Sequence, residues 1–138
     1  MKIFFFYTFI FMKKKIITTL NAPAPIGPYN QAVLSDKTLY ISGQIPLIPD
    51  TMEILNSTIE EETNLVMNNL KAILETAQMT FKNVVKTSIF LSDMNDFAKV
   101  NDVYGRYFDN DFAPARETIA VKALPKSVRV EISMIAVK

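Results

Sequence analysis

Two ionisable side chains near the end of the chain, Arg116 and Glu131, stand apart from every run of charge. Arg116 closes the run Phe112-Ala-Pro-Ala-Arg and opens a β-like stretch, while Glu131 interrupts the alternating segment Val128-Arg-Val-Glu-Ile-Ser-Met-Ile-Ala-Val-Lys. Alternation places Val128, Val130, Ile132, Met134 and Ala136 on one face, so Glu131 points the other way, beside Arg129 and Ser133. The chain has neither histidine nor cysteine. This excludes imidazole bases, thiol nucleophiles, zinc sites built on either, Ser-His-Asp triads and disulfides. Any catalysis rests on Arg, Lys, Tyr, Ser, Thr, Asn, carboxylates and backbone groups.

The elements that must position these residues follow from periodicity and turn chemistry. A short strand is predicted at 16–20, a Pro-rich loop at 22–28, and a hairpin of strands 30–35 and 38–43 turning at Ser35-Asp36-Lys37. A long helix follows, with Ser57 as its cap, Glu60 three residues on, and Glu61 and Glu62 in its first turn. Val66, Leu70, Ile73, Leu74 and Ala77 recur on it at helical spacing. Strand 84–92 comes next, then a second helix from about Asn95 with Phe97, Val100, Val103, Tyr104, Tyr107 and Phe108 on one stripe. A final pair of strands, 116–123 and 128–137, is joined by a turn at Leu124-Pro125-Lys126-Ser127. The order argues for an α+β class, with two helices on one face of a mostly antiparallel sheet.

At 138 residues, with 15 basic and 14 acidic groups, the composition fits one globular domain and gives little long-range attraction for nucleic acid. Residues 1–11 are the outlier, holding five of the ten phenylalanines and preceding Met12-Lys-Lys-Lys. We treat them as an extension outside a domain at 12–138. The apolar run is shorter than the roughly 20 residues a membrane span takes, and its lysines follow rather than precede it as in a signal peptide. Three readings stand open: Met12 as the true start, a degenerate targeting segment, or an interfacial anchor. The missing cysteine fits a reducing compartment such as the cytoplasm, or an organelle such as the mitochondrion if those residues are a targeting segment.

The face of the sheet away from the helices is expected to carry Tyr40 and Ser42, then Lys86, Ser88 and Phe90, then Arg116, Thr118 and Ala120, then Arg129, Glu131, Ser133 and Ile135. Its mixture of small polar and apolar groups predicts a second protein surface over it. A homo-oligomer with packed sheets is expected, with Arg116 and Glu131 near a subunit boundary.

Eight segments in order, Ile26-Gly-Pro-Tyr-Asn-Gln, Tyr40-Ile-Ser-Gly-Gln-Ile-Pro, Asn83-Val-Val-Lys-Thr, Asn95-Asp-Phe, Val100-Asn, Pro114-Ala-Arg, Ala123-Leu-Pro-Lys and Val130-Glu-Ile, resemble the RidA (YjgF) family of reactive-intermediate deaminases. The resemblance implies a chorismate-mutase-like fold and a homotrimer round a central barrel of sheets, with active sites in clefts between subunits. It also implies hydrolysis of 2-imino acids, released by pyridoxal-phosphate-dependent serine and threonine dehydratases, to 2-keto acids and ammonium.

Carried onto this chain, it makes Arg116 the bidentate partner of the substrate carboxylate and Glu131 the group that orients and deprotonates water. Tyr29 becomes a pocket wall, Ser42 and Gly43 a polar edge, and Asn101 a contact from the second helix. Thr118 stands where many members have Cys, and Ala113 separates a Phe and a Pro that are often adjacent. An iminium is already electrophilic, so no metal or cofactor is demanded. Two further functions compete: a translation-inhibiting endoribonuclease, and a non-catalytic, chaperone-like trimer that binds a small carboxylate.

Overall fold

The computed structural model describes residues 13–138. The extension at 1–11 and the proposed start at Met12 lie outside them. Eight regular elements follow in order: β1 (Lys14–Ile17), β2 (Ala32–Ser35), β3 (Thr38–Gln44), α1 (Ile59–Thr76), β4 (Val84–Leu91), α2 (Phe97–Gly105), β5 (Ala115–Ala120) and β6 (Val130–Val137). The strands form one six-stranded sheet in the order β1-β2-β3-β6-β4-β5, antiparallel throughout except for the parallel pair β4/β5. The fold is mixed α+β, as the order of elements predicts. Among the described residues no helix is long and apolar enough to cross a membrane.

One helix face and one sheet face make the core. On α1, Ile59, Val66, Met67, Leu70, Ile73 and Leu74 are buried at the predicted spacing, and they meet Leu39, Ile41, Ile89, Leu91, Val130, Ile132 and Met134 from the sheet. Each such side chain contributes roughly 1.5–3 kcal/mol on leaving water. The β2–β3 hairpin turns at Asp36 and Lys37, with Ser35 opposite Thr38 and Asp36 in the left-handed region that its short polar side chain tolerates.

Several sequence expectations are corrected. The last two strands are not a pair, because β6 inserts between β3 and β4 while β5 lies beyond β4 at the sheet edge. The burial patterns explain this. Val130, Ile132, Met134 and Ala136 are fully covered, which suits a central strand under α1, whereas β5 has no fully buried residue. A parallel partner for β4 needs a long crossover, and α2 supplies it.

The first strand ends at Ile17 rather than at residue 20. There the buried Gln31 amide takes over the backbone groups, accepting from Thr19 N at 2.7 Å and donating to the carbonyls of Thr19, Ala22 and Pro23 at 3.0, 3.1 and 2.8 Å. The cap of α1 is Thr58, whose Oγ1 accepts from Glu61 N at 3.2 Å, and not Ser57. Ser57 sits one residue outside the helix, its hydroxyl donating to the Glu61 carboxylate and its N–H to Glu62. Arg129 does not share the open face with Glu131. It reaches under α1 to Glu62 and the Ser57 carbonyl.

Candidate active site

One group of predicted site residues gathers where β3 and β6 meet. Their register slips there: Ile41 pairs with Met134 but Gln44 with Ile132, so Ser42 and Gly43 together oppose Ser133. This bulge bends β3 toward the carboxylate of Glu131. Gly43 is required by close approach, since a Cβ at this position would stand 2.8 Å from Glu131 Cδ and closer still to Oε1. Beside it, Ser42 Oγ donates to Asn30 O at 2.6 Å and Ser42 N to Gln31 O at 3.0 Å, tying the bulge to the loop that Gln31 pins. Tyr29 extends from that loop, its hydroxyl accepting from Ile26 N at 3.2 Å and its ring 44% exposed.

Tyr29, Ser42, Gly43 and Glu131 thus line one cavity of about 400 Å³, whose remaining wall is mostly apolar and includes Ile26, Ile45, Leu47 and Pro125. Burial in this wall pushes the Glu131 pKa above the ordinary carboxylate value. A carboxylate so placed can take up and return a proton closer to neutral pH than a solvated one.

The second group gathers under α2. Arg116 Nη1 donates to Asn101 Oδ1 at 2.8 Å, and its guanidinium carbon lies 5.0 Å from the Tyr104 ring centroid and 5.9 Å from that of Phe97. Tyr104 is fixed in turn by donating its hydroxyl to the buried Thr87 Oγ1 at 3.1 Å. Two residues along β5 from Arg116, on the same face, Thr118 Oγ1 is buried and has no hydrogen-bond partner among the described residues.

These two groups do not share a face. The β4/β5 register pairs Thr87 with Arg116 and Ser88 with Glu117. Arg116 and Thr118 therefore turn toward α2, and it is Glu117 that looks out from the open face. There it accepts from Ser88 Oγ at 2.5 Å and forms an ion pair with Lys86, both of which hold its pKa below the usual range. Glu131, opposite Phe90 on β6, belongs to the open face. The expected row Arg116, Thr118, Ala120 on that face is corrected accordingly, and Arg116 and Glu131 are not on adjacent strands, since β4 runs between β5 and β6. One copy of the chain holds Tyr29, Ser42, Gly43 and Glu131 together and Asn101, Arg116 and Thr118 together, on opposite sides of the sheet.

The endoribonuclease L-PSP family model matches residues 19–138. The chain belongs to this family, which includes the RidA, YjgF and RutC proteins. A RutC family protein of Synechocystis is 51% identical over 127 residues, 91% of this chain and 98% of that protein. The 2-iminobutanoate/2-iminopropanoate deaminase of Bos taurus is 50% identical over 125 residues, 91% of this chain and 90% of that one. The crystal structure of E. coli TdcF with bound serine superposes with a TM-score of 0.84 at 41% identity, covering 90% of this chain and 98% of that one.

In this RidA-family chain, sequence reasoning named the candidate residues but missed part of what holds them in place. Gln31 was visible only as the end of the segment Ile26-Gly-Pro-Tyr-Asn-Gln, although a polar residue just before a strand and 1% exposed is the hinge of the whole loop. Phe97 and Tyr104 read as core positions on a stripe, while the structure gives both a second face against Arg116. Their signal was spacing: positions 97, 101 and 104 are i, i+4 and i+7 on one helix.

Proposed function

We propose that this chain hydrolyses 2-imino acids to 2-keto acids and ammonium, in sites assembled from the Glu131 cavity of one copy and the Arg116 shelf of a neighbouring copy in a homotrimer. The observation that carries this reading is the chemical complementarity of two half-sites kept apart within a single chain. One offers a carboxylate in an apolar cavity without a cation among its lining residues, and the other a guanidinium without an ion pair among the described residues. The open sheet face, with Tyr40 51% exposed and Ile119 45%, supports cover by another copy. The deaminase relative in cattle supports the reaction.

Arg116 receives the substrate carboxylate through paired N–H donors and so fixes the position of the imine carbon. Glu131 accepts a proton from a water as its oxygen attacks that carbon, giving a tetrahedral carbinolamine. The same carboxyl then returns the proton to nitrogen; as the C–N bond breaks, the carboxylate takes the hydroxyl proton so that the carbonyl forms, and the departing ammonia carries that proton away as ammonium. Carbon gains one oxygen from water and loses one nitrogen, with no change of oxidation state. Tyr29 closes the cavity wall, and Thr118 offers its hydroxyl beside the carboxylate site.

The test is a dehydratase-coupled assay of keto-acid release. Turnover by the purified chain that disappears in Arg116→Ala is the expected result, and equal turnover in that variant would overturn the assignment. The family model's description gives weight to a second reading, an endoribonuclease. RNA cleavage draws on phosphate neutralisation that a net charge of +1 and a cavity lined by no Lys or Arg do not favour. Salt-dependent RNA binding with cleavage, in the absence of imine turnover, would reverse this ranking.

A further inference from the structure

Two arginines of this chain sit in opposite settings. Arg129 donates from Nε to Glu62 Oε2 at 3.1 Å and from Nη2 to Glu62 Oε1 at 2.7 Å and to Ser57 O at 2.6 Å. Its charge is met inside the fold. Arg116 forms no ion pair among the described residues, and what surrounds its guanidinium is neutral: the Asn101 amide oxygen at 2.8 Å and the rings of Tyr104 and Phe97 at 5.0 and 5.9 Å. An amide oxygen and an aromatic face each attract a cation without cancelling its charge.

We propose that Asn101, Tyr104 and Phe97 form a neutral cradle that holds the Arg116 guanidinium in place and leaves its full positive charge for a ligand carboxylate, which makes Tyr104 and Phe97 positioning residues of the anion site. All three occupy one face of α2 at i, i+4 and i+7. Tyr104 is 5% exposed and anchored through Thr87, so its ring is a rigid stop rather than a mobile cover. Burial raises the pKa of its phenol above the ordinary value, so the cradle stays uncharged across the physiological range. Without the rings a half-buried arginine has other rotamers open to it, and each draws its fork away from the ligand. With an acidic neighbour in place of Asn101 the fork would be held as firmly, but its charge would already be spoken for.

That the ligand is turned over as an imine rests on the reading above; the binding of a small 2-keto carboxylate at the anion site does not. The experiment measures the Kd of 2-oxobutanoate by calorimetry, together with KM and kcat for imine hydrolysis, in the full chain and in variants checked for thermal unfolding and oligomeric state. Phe97→Leu, at a surface position, raises Kd and KM about twofold to fivefold with kcat little changed. Tyr104→Leu has a larger effect of the same kind, and Tyr104→Phe, which keeps the ring, recovers most of it. Asn101→Asp places a counter-ion against Nη1 and raises Kd and KM about tenfold or more, although it holds Arg116 more tightly.

A merely structural part for Asn101 gives the opposite: Asp would preserve affinity. Unchanged Kd in both Phe97→Leu and Asn101→Asp, or no binding of 2-oxobutanoate by the unmutated chain, overturns the cradle. Binding that follows the cradle in a protein that turns over no imine leaves the cradle standing and removes the deaminase reading instead.

Discussion

The cavity around Glu131 and the shelf around Arg116 are built from different materials. The cavity is made by the main chain: a bulge in β3, a glycine that lets a carboxylate lie against the backbone, and a loop pinned by the Gln31 amide. The shelf is made by side chains standing on one face of a helix. A carboxylate gains acid–base use by losing water, which an irregular backbone lined with apolar groups achieves, whereas a guanidinium gains binding use by being aimed, which a rigid helix achieves. Neither region alone meets the needs of the proposed reaction, and the difference between them says what each lacks.

The strongest way to break this comparison is to inactivate one half at a time. In the proposed reaction Arg116→Ala removes the carboxylate anchor and Glu131→Gln the proton acceptor. Each is expected to lower kcat/KM by about a hundredfold to ten-thousandfold. If the halves come from different copies, unfolding and refolding the two variants together restores about a quarter of the unmutated activity, because random assembly reunites an intact Arg116 with an intact Glu131 at about that frequency. Mixed protein no more active than either variant alone would mean that the two residues do not complete one site across copies.

Proton chemistry gives the next largest effect. The Glu131 pKa lies above the ordinary carboxylate value because of burial, so the acid limb of kcat/KM should fall at a higher pH than that of a solvated glutamate, with activity lost as pH drops through it. Glu131→Gln should lack that limb in its residual rate. Stability moves the other way. A carboxyl whose folded pKa is raised binds its proton more tightly in the native state, so its contribution declines as pH rises through the raised pKa. Glu131→Gln should therefore match the unmutated chain below the ordinary carboxylate pKa and exceed it in thermal midpoint at neutral pH, the mark of a group kept for activity rather than stability.

Gly43→Ala tests whether main-chain shape makes the cavity. A methyl group there meets the Glu131 side chain, which must swing away, and kcat is expected to fall about tenfold to a hundredfold with the fold retained. Rates within twofold of the unmutated chain would mean that the carboxylate need not lie where it does. Glu62→Gln provides the control on charge. It loosens the Glu62–Arg129 pair, in which Glu62 is nearly buried and Arg129 is 40% exposed, and should lower stability by about 1–2 kcal/mol with KM unchanged.

How far the sequence went can be judged strand by strand. In β6 every second residue from Val130 to Ala136 is apolar, so burial decides the face and Glu131 was placed on the open one. In β5 the run Ala-Arg-Glu-Thr-Ile-Ala has no apolar alternation, so nothing local decides whether Arg116 or Glu117 faces the helices. That choice is made by register with β4, a long-range pairing with no local signature. The same holds for strand order, where turn chemistry between β5 and β6 suggested neighbours although α2 had already committed β5 to β4. At the start of α1, Ser57 and Thr58 are both competent caps, and it is Thr58 that accepts from Glu61 N while Ser57 N donates to Glu62, the partner of Arg129 67 residues away.

The smallest effect concerns Thr118, whose hydroxyl oxygen is buried on the shelf without a partner among the described residues. A hydroxyl buried without a partner costs about 1–3 kcal/mol, so within one copy Thr118→Val, which keeps the shape, should stabilise the protein. If the hydroxyl is instead answered by the ligand beside Arg116, the same change should remove one neutral hydrogen bond and lower kcat/KM by about twofold to tenfold. The two quantities separate the roles: a higher thermal midpoint together with a reduced kcat/KM, and recovery of rate in Thr118→Ser, is the expected pattern. A higher midpoint with unchanged kinetics would take Thr118 out of the site and leave Arg116 and its neutral neighbours to account for the shelf on their own.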